Sequence, residues 1–302
     1  MNSAQTGVDS VEFSQTVNAL RAFFLMRGFV EVHTQDRLSI LAACEDPSTV
    51  ATFTYAGQVW PLPQTGQMWL EHELLTRPEL PGVFCVSTSY RQEQNPVPGR
   101  HKIIFPMFEF ESRGTLADLE QLESSLLEYL GYGSSSSFPR IGYEETARCY
   151  GVADISSAVE LKLAENLGRA IFLKHFPEHT SPFWNMKRDG EGHAYKIDVI
   201  LDGMETIGSA ERSNDPNAMR QSFYTISNGG YAQKLFDLFG QDRVEAELEN
   251  FLSLSFTPRY GGGIGLTRLL RSQSLSIPTQ YSHTPTHNPL SLMKPLGEGV
   301  FV

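Results

Sequence analysis

The stretch STSYRQEQNPVPGRHKIIFPMFEFE, residues 87–111, decides the fold of this chain. Both of its ends combine polar and apolar residues in the short runs that are typical of strands, and the segment between them is rich in Pro and Gly. Side chains two apart on a strand share a face, so Arg91 and Glu93 project to the same side. The stretch therefore predicts two strands joined by a loop, with a charged pair on the first strand and Phe105 in the apolar run of the second.

Two functions fit the charged pair. The guanidinium of Arg91 can hold a phosphate or a carboxylate through two hydrogen bonds, while Glu93 accepts a hydrogen bond from an amine. The alternative is an ion pair across two strands on a solvated face. These residues alone leave both interpretations open.

The segments on either side predict an α+β protein. We expect helices over 11–27, 116–130 and 156–170 and a helical pair over 231–252. We also expect a hairpin in ATFTYAGQVWPLP, a strand in FVEVHT and two strands in AYKIDVILDGMETIGSAER. Strands that follow strands, with helices around them, indicate an antiparallel sheet of about six strands instead of βαβ units. We expect one domain over 1–275 and an extended tail over 276–302, where prolines are frequent and periodicity is weak.

The amino-acid composition limits the kinds of molecule that this chain is expected to bind. The 302 residues include 24 Lys and Arg and 35 Asp and Glu, a net charge of −11, which argues against tight nonspecific binding to nucleic acid. The three cysteines, Cys44, Cys85 and Cys149, lack the spacing of a zinc site or a disulfide framework. No long apolar segment or leader pattern is visible, so we expect a cytoplasmic protein that does not enter a membrane.

The second segment of interest is GGGIGLTRLLR, residues 261–271. Its glycines predict a turn where the backbone approaches a ligand closely, and the helix that follows directs its positive end toward an anion. Arg268 lies in the first turn of that helix. The alternative is an ordinary tight turn. The segment is not a Walker loop, because no GK[ST] follows.

The third segment, IDVILDGMETIGSAER, contains Asp198 and Glu205 seven residues apart. That spacing puts them on opposite faces of one strand, so they converge only if a turn or bulge intervenes, and Asp202-Gly203 predicts a turn. Two converging carboxylates, together with phosphate oxygens, suit magnesium. The alternative is two unrelated acids at strand ends.

Taken together, YRQE, FPMFEFE and GGGIGLTR resemble the second and third motifs of the class II aminoacyl-tRNA synthetases. FFLMRGFVEVHTQ resembles the first motif, which forms the dimer interface in that family, with Gln35 where the family has proline. The resemblance covers about 12–272. GSAER after Glu205 is similar to the subgroup of aspartyl, asparaginyl and lysyl enzymes and the related ammonia-dependent asparagine synthetase.

This resemblance implies ATP and Mg²⁺ as cofactors, and it implies a role for each matching residue. Arg91 would hold the α-phosphate and the amino-acid carboxylate, and Glu93 would recognise the adenine amino group. Phe105 would stack on the adenine ring, with Arg268 on its other face and reaching toward the γ-phosphate. Further expected contacts are Asp198 and Glu205 with magnesium, Gly265 with the nucleotide, and His101 with pyrophosphate or an acceptor.

The segment PQTGQMWLEHE bears on the choice of amino acid. Thr65 and Gln67 match the family's mobile loop that grips the substrate amino group, and Glu45 is a further candidate for that group. The aspartyl enzymes and the asparagine synthetase have a lysine where this chain has Leu70. Glu71 matches the glutamate of asparaginyl enzymes that accepts from the side-chain amide, unless it is a solvated residue on a helix face. With Arg212 reading the side-chain carbonyl, the pattern favours asparagine or a similar polar amino acid.

The resemblance therefore implies a ligase that forms an aminoacyl-adenylate and transfers it to an unidentified acceptor. The subgroup's tRNA synthetases carry an N-terminal β-barrel that reads the anticodon, and we expect none here, a homodimer, and weak or no binding of tRNA. Three alternatives stay open. They are amide formation from aspartate, an aminoacyl-tRNA ligase without an anticodon domain, and a non-catalytic paralogue that binds ATP or an amino acid.

Overall fold

A computed structural model describes residues 8–34, 37–43, 46–97, 100, 102–180 and 182–275. The statements below concern these residues. The expectations for Gln35, Glu45, His101 and the tail 276–302 lie outside them.

The described strands form one large sheet and a separate hairpin. In chain order they are β1 (Val30–Glu31), β2 (Thr52–Tyr55), β3 (Gln58–Pro61), β4 (Gly82–Tyr90), β5 (Ile104–Arg113), β6 (Arg140–Gly142), β7 (Ala170–Pro177), β8 (His193–Leu201), β9 (Met204–Glu211) and β10 (Arg259–Gly265). The large sheet has eight strands in the order β1-β4-β5-β10-β9-β8-β7-β6, and β2 pairs with β3 alone.

The α+β prediction is confirmed, and the sheet is larger than expected. All pairings among its six central strands are antiparallel. Two short edge strands, β1 and β6, add parallel pairs with β4 and β7. Strand β1 lies within FVEVHT, where a strand was expected. Strands β6, β7 and β10 were not predicted, and of these β6 is too short to show a period in the sequence.

Helices cover both faces of the sheet. They are α1 (Ser10–Leu25), α2 (Gln67–Thr76), α3 (Leu116–Tyr129), α4 (Tyr143–Tyr150), α5 (Ser157–Leu167), α6 (Pro216–Thr225), α7 (Gly230–Phe239), α8 (Gln241–Leu252) and α9 (Leu266–Ser274). The four predicted helical segments are present. Among the described residues, no helix has the length and apolar character needed to cross a membrane.

The core behind the sheet explains the position of α1. Its first turn is capped by Asp9, whose carboxylate accepts from the backbone N–H of Val11 and of Glu12 at 2.9 Å each. The helix buries Phe24 completely, with its ring centroid 5.0 Å from that of Phe108 on β5. Burial of an aromatic ring stabilises the fold by about 2–3 kcal/mol. This layer closes one face of β5 and leaves the other face for a binding site.

The segment GGGIGLT was predicted to be a turn, and this prediction is wrong. Its glycines lie inside strand β10, between β5 and β9, and the helix begins only at Leu266. At Gly261 an added Cβ would lie 2.1 Å from the carboxyl carbon of Glu111 on β5. Glycine is therefore required because a neighbouring side chain occupies the space above the strand, not because the chain turns.

The hairpin of β8 and β9 has the predicted turn. Asp202 and Gly203 both have positive φ, +46° and +77°, as a two-residue hairpin turn requires. Asp198 pairs with Gly208, and the register shifts between Val199 and Ile200. The shift brings the start of β9 onto the same side of the sheet as Asp198.

Candidate active site

A cleft lies on the sheet face opposite α1, above β5, β10 and β9. It brings together eight of the residues expected from the sequence: Thr65, Gln67, Arg91, Glu93, Phe105, Glu205, Gly265 and Arg268. An adjoining cavity shares Gln67 and Glu205 with the cleft and adds Asp198 and Arg212. Segments far apart in the chain therefore line two neighbouring spaces, and Gln67 and Glu205 border both.

One end of the cleft contains an aromatic ring and two arginines. The guanidinium carbon of Arg91 lies 5.4 Å from the ring centroid of Phe105, which is half-buried at the start of β5. Arg268 donates from Nη1 to the carbonyl oxygen of Glu205 at 2.7 Å and lies 3.7 Å from its carboxylate. A planar ring beside two cations is suited to a base and its phosphates.

Two carboxylates converge in the middle of the site, as the turn at Asp202 predicts. A Cβ added at Gly208 would lie 3.2 Å from Glu205 Oε1 and 3.7 Å from Asp198 Oδ1. Asp198 Oδ2 accepts from Lys196 Nζ at 2.6 Å. Its Oδ1 is buried and accepts no hydrogen bond from the described residues.

Burial raises the pKa of Asp198 to about 7, and Lys196 opposes this shift while Glu205 adds to it. A buried carboxylate oxygen without a donor, next to a second carboxylate, fits an oxygen-seeking divalent cation. Within the described residues no three His, Cys, Asp or Glu side chains form a complete metal site. Magnesium would need further oxygens, such as those of phosphates.

A third carboxylate, Glu160 on α5, was missed by the sequence analysis. Its Oε2 accepts from the backbone N–H of Glu205 at 3.0 Å, and Arg100 Nη2 donates to both of its oxygens at 2.7–2.8 Å. Arg100 also lines the cleft. Nothing local in the sequence links α5 to β9, since only the folded sheet brings them together.

Glu109 on β5 was also missed. The carboxylate is buried and accepts from the backbone N–H of Gly66 at 2.8 Å, from Ser87 Oγ at 2.5 Å and from Thr65 Oγ1. The alternation in FPMFEFE does place Phe105 and Glu109 on one face. This alternation could have identified Glu109, but the same pattern is equally typical of a strand with one solvated face.

Arg212 and Glu111 form a buried ion pair beside the second cavity. Arg212 donates from Nε and Nη2 to Glu111 Oε1 at 3.0 and 2.6 Å, and both side chains are almost fully buried. Arg212 lines the cavity, whereas Glu111 lies behind it. The arginine therefore borders the cavity, and its contact with a substrate side chain stays a prediction.

Glu71 is completely buried, so the alternative of a solvated helix residue is wrong. One carboxylate oxygen accepts from Arg259 Nε and Nη2 at 2.9 and 2.6 Å. The other accepts from Asn185 Nδ2 at 2.5 Å and from Gln67 Nε2 at 3.1 Å. Four protein donors occupy this carboxylate, and three of them belong to Arg259 and Asn185, which the sequence analysis did not single out.

Leu70 points away from both cavities. It is completely buried in a cluster with Leu74, Val83 and Cys85, between α2 and β4. The second cavity contains two cationic side chains, Arg212 and Lys196. Lys196 is the cation that sequence reasoning did not anticipate.

Comparison with known proteins gives a consistent result. The family model for class II tRNA synthetases (D, K and N) matches residues 11–274. The chain is 24% identical to the aspartate–tRNA(Asp) ligase of Pyrobaculum aerophilum over 288 residues, which is 85% of this chain and 62% of that protein. It is 25% identical over 209 residues to a Schizosaccharomyces pombe protein named "Probable asparagine--tRNA ligase, cytoplasmic", covering 57% of this chain and 36% of that one.

Solved structures share the fold. The asparaginyl-tRNA synthetase of Pyrococcus horikoshii, complexed with asparaginyl-adenylate, aligns with a TM-score of 0.70 at 22% identity, over 87% of this chain and 64% of that one. The Entamoeba histolytica asparaginyl-tRNA synthetase aligns with a TM-score of 0.67 at 20% identity, over 87% and 62%. The chain spans about three fifths of the length of the archaeal relatives that it matches.

Proposed function

Because this chain belongs to the class II tRNA synthetases (D, K and N), we propose that it is a ligase that joins an amino acid to ATP as an aminoacyl-adenylate. One observation carries the proposal. The cleft with Arg91, Phe105 and Arg268 adjoins the cavity with Arg212, which supports a nucleotide site next to an amino-acid site. A non-catalytic paralogue that binds only ATP or only an amino acid would not need both sites next to each other.

In this proposal the amino-acid carboxylate attacks the α-phosphorus of ATP and pyrophosphate leaves. The nucleophile is already ionised at neutral pH, so no general base is required. Arg91 holds the α-phosphate and the carboxylate, and Arg268 neutralises charge on the departing phosphates. Positioning and charge neutralisation supply most of the rate acceleration in such a reaction.

The adenine ring lies on Phe105 with Arg268 on its other face, and Glu93 accepts from the adenine amino group. Gly265, at the end of β10, adjoins the nucleotide. Asp198 and Glu205 hold magnesium, whose charge, when it is bound, stabilises the phosphates. The buried oxygen of Asp198 without a donor supports this assignment.

The amino group of the substrate lies near Thr65 and Gln67, where the buried Glu109 supplies negative charge. We assign Glu71 a positioning role, because its four hydrogen bonds hold Gln67 and the base of the cavity. Arg212 donates to the side-chain oxygen. Asparagine is the proposed substrate, since the carboxylate of Glu111 already pairs with Arg212.

One observation favours aspartate as a second candidate. Lys196 lines the same cavity as Arg212 and adds a second positive charge, which suits a substrate carboxylate. Against this, its ammonium group lies 2.6 Å from Asp198. An asparagine synthetase-like reaction on aspartate is therefore the runner-up, with ammonia as acceptor.

Partners and location are also proposals. We propose a homodimer formed through residues near 15–35, a cytoplasmic location and weak or no affinity for tRNA. Sedimentation at micromolar protein concentration tests the dimer, and a monomer would contradict it. Filter binding tests tRNA, where a dissociation constant tighter than about 1 μM at physiological salt would contradict the proposal.

The central experiment is amino-acid-dependent exchange of labelled pyrophosphate into ATP, run with all twenty amino acids and Mg²⁺. We expect exchange with asparagine above all others. Exchange with aspartate at least equal to that with asparagine would make the runner-up the better function. No exchange with any of the twenty would contradict adenylate formation from these amino acids.

A further inference from the structure

The carboxylate of Glu160 borders the second cavity but has no part in the proposed chemistry. It lies in the first turn of α5, and the residue is buried, with 8% of its surface exposed. Its hydrogen bonds go to two distant segments, the backbone of Glu205 at the start of β9 and the guanidinium of Arg100 in the loop between β4 and β5. Glu160 therefore connects a wall of the nucleotide cleft to a proposed metal ligand.

The position of Glu205 depends on an irregularity in the β8–β9 hairpin. Asp198 pairs with Gly208, so in a regular ladder Glu205 would lie on the opposite face of the sheet from Asp198. The register shift makes Glu205 pair with Ile200, which is two residues after Asp198 and on the same face. The two carboxylates converge because β9 has one extra residue at this point.

The backbone of Glu205 lies beyond the end of the ladder that joins β9 to β10. That ladder reaches only as far as Ile207, since the chain continues as α9 after β10. The N–H of Glu205 donates instead to Glu160 Oε2 at 3.0 Å, and its carbonyl oxygen accepts from Arg268 Nη1 at 2.7 Å. Backbone polar groups that are removed from water need such partners. Two side chains therefore take the place of a neighbouring strand next to the irregular register.

Packing and charge fix the position of Glu160 in turn. A Cβ added at Gly203, in the hairpin turn, would lie 3.0 Å from the Cα of Leu161, so α5 packs directly against the β8–β9 turn. Arg100 Nη2 donates to both oxygens of Glu160, at 2.8 and 2.7 Å. This ion pair offsets the cost of burying a carboxylate. The oxygen that accepts from Glu205 is thus held from two sides.

We infer that Glu160 is a positioning residue that holds Glu205 in place as a magnesium ligand. It acts through its hydrogen bond to the backbone beside the irregular register and does not itself bind the metal. Hydrogen bonds around a metal site orient the ligands in this way. Because Arg100 lines the nucleotide cleft, the same carboxylate also ties the loop between β4 and β5 to the metal site. The inference rests on the proposed function, in which Asp198 and Glu205 hold magnesium.

Two conservative variants separate the position of the Glu160 carboxylate from its charge. Glu160→Asp keeps the charge but is one methylene shorter, which withdraws the carboxylate from the N–H of Glu205. Glu160→Gln keeps the length and one oxygen that accepts from this N–H, and it removes the charge. If Glu160 acts through position, the Asp variant is the more impaired of the two. If it acted as a ligand through its charge, the Gln variant would be.

The measurement is the Mg²⁺ concentration that gives half-maximal pyrophosphate exchange by the full chain at saturating ATP and asparagine. We expect Glu160→Asp to raise this concentration by about 10-fold or more, as is typical when a hydrogen bond that orients a metal ligand is lost. Glu160→Gln should raise it much less. An Asp variant with the wild-type requirement, or a Gln variant more impaired than the Asp variant, would overturn the inference. Should Glu160→Asp not fold, a rise of about 10-fold in Glu160→Gln would overturn it alone.

The KM for asparagine distinguishes positioning of the metal ligand from a general disturbance of the site. Glu160→Asp should leave this KM within about 2-fold of the wild type, because the proposed contacts of asparagine are with other residues. A KM that rose as much as the Mg²⁺ requirement would contradict the inference. Glu165→Ala is the matched control, since Glu165 is exposed on the same helix. It should keep the wild-type Mg²⁺ requirement.

Binding without turnover separates the inference from the proposed function. The rise in Tm that MgCl₂ causes in the presence of ATP, without an amino acid, reports on the metal site. We expect this rise in the wild type and in Glu160→Gln, and a smaller one in Glu160→Asp. If it occurs in this order but no amino acid supports exchange, the proposed function fails and the inference stands. Equal rises in the wild type and Glu160→Asp would overturn the inference, and no rise in the wild type would contradict the metal site and the inference with it.

Discussion

Arg259 donates from both Nε and Nη2 to a single oxygen of Glu71, at 2.9 and 2.6 Å, with both side chains completely buried. The pair joins α2 to the start of β10. The other oxygen of Glu71 holds Gln67, which borders both the cleft and the cavity. An ion pair in the core thus determines the position of a side chain at the substrate.

Removing one partner of this pair should destabilise the protein strongly. Arg259→Ala leaves the Glu71 carboxylate buried without its main counter-ion, so we expect a loss of about 3–5 kcal/mol in the free energy of unfolding. Arg220→Ala breaks an exposed pair with Glu249 and is the control, with a much smaller expected loss because solvent screens the pair. Urea denaturation measures both, and similar losses would contradict the structural role.

Arg91→Ala and Arg268→Ala should each reduce pyrophosphate exchange to background. Each removes a charge-assisted contact with phosphate, while neither is part of the buried core. Circular dichroism should show the wild-type fold. Arg271→Ala, on the exposed side of the same helix as Arg268, should keep its activity. Full activity of either active-site variant would remove the basis of the proposed mechanism.

Asp198→Asn should raise the Mg²⁺ concentration needed for half-maximal exchange by about 10-fold or more, since it removes one of two carboxylates. The substitution keeps the size of the side chain. A titration with MgCl₂ at saturating ATP measures the effect. Asp237→Asn, on the surface of α7, should leave the titration unchanged. An identical Mg²⁺ requirement in Asp198→Asn would exclude this residue as a ligand.

Glu123→Gln should stabilise the protein increasingly as pH rises. Burial raises the pKa of Glu123 from 4.5 to about 8, so the folded state holds a proton that the unfolded state has released between these values. The wild type therefore loses up to about 1.4 kcal/mol per pH unit over this range from this residue. Denaturation at pH 5 and pH 8 measures the difference between the two proteins. A difference that did not grow would mean that Glu123 ionises without cost.

Gly261→Ala should destabilise the protein by about 1–3 kcal/mol or more, because the new Cβ would lie 2.1 Å from the carboxyl group of Glu111 and 2.4 Å from the backbone oxygen of Phe110. Gly230→Ala is the control, since nothing lies within 4 Å of a Cβ there. Thermal unfolding compares the two. Equal Tm values would show that β5 and β10 can separate to accept the methyl group.

The sequence predicted the elements whose signals are local. The β8–β9 hairpin has a two-residue Asp-Gly turn, and α1 has an apolar period of helical spacing. Strand β10 was mistaken for a turn because three adjacent glycines carry no side chains and so show no period. Only its pairing with β5 and β9, which is not local, makes this segment a strand.

The motifs predicted which exposed and half-buried side chains lie together, and the buried charges were missed. Phe105 and Arg268 do line one cleft, as the motifs implied. Glu109 and Glu111 alternate with phenylalanine in a pattern that normally marks a solvated face. In the folded chain, helix α2 and the buried arginines cover that face, so it is not solvated. A short stretch of sequence does not show contacts with such distant segments.

The two strands that pair with β5 also determine at which stage of synthesis the binding site can form. Strand β5 pairs with β4, which precedes it closely, but its other edge pairs with β10, near the end of the described chain. Such long-range pairing slows folding, because the closing of a long loop must precede the contacts that stabilise it. During synthesis β5 has an open edge until β10 leaves the ribosome, and open strand edges associate with other chains. The strand that completes the binding site is thus also the one that ends the period in which the growing chain is prone to aggregate.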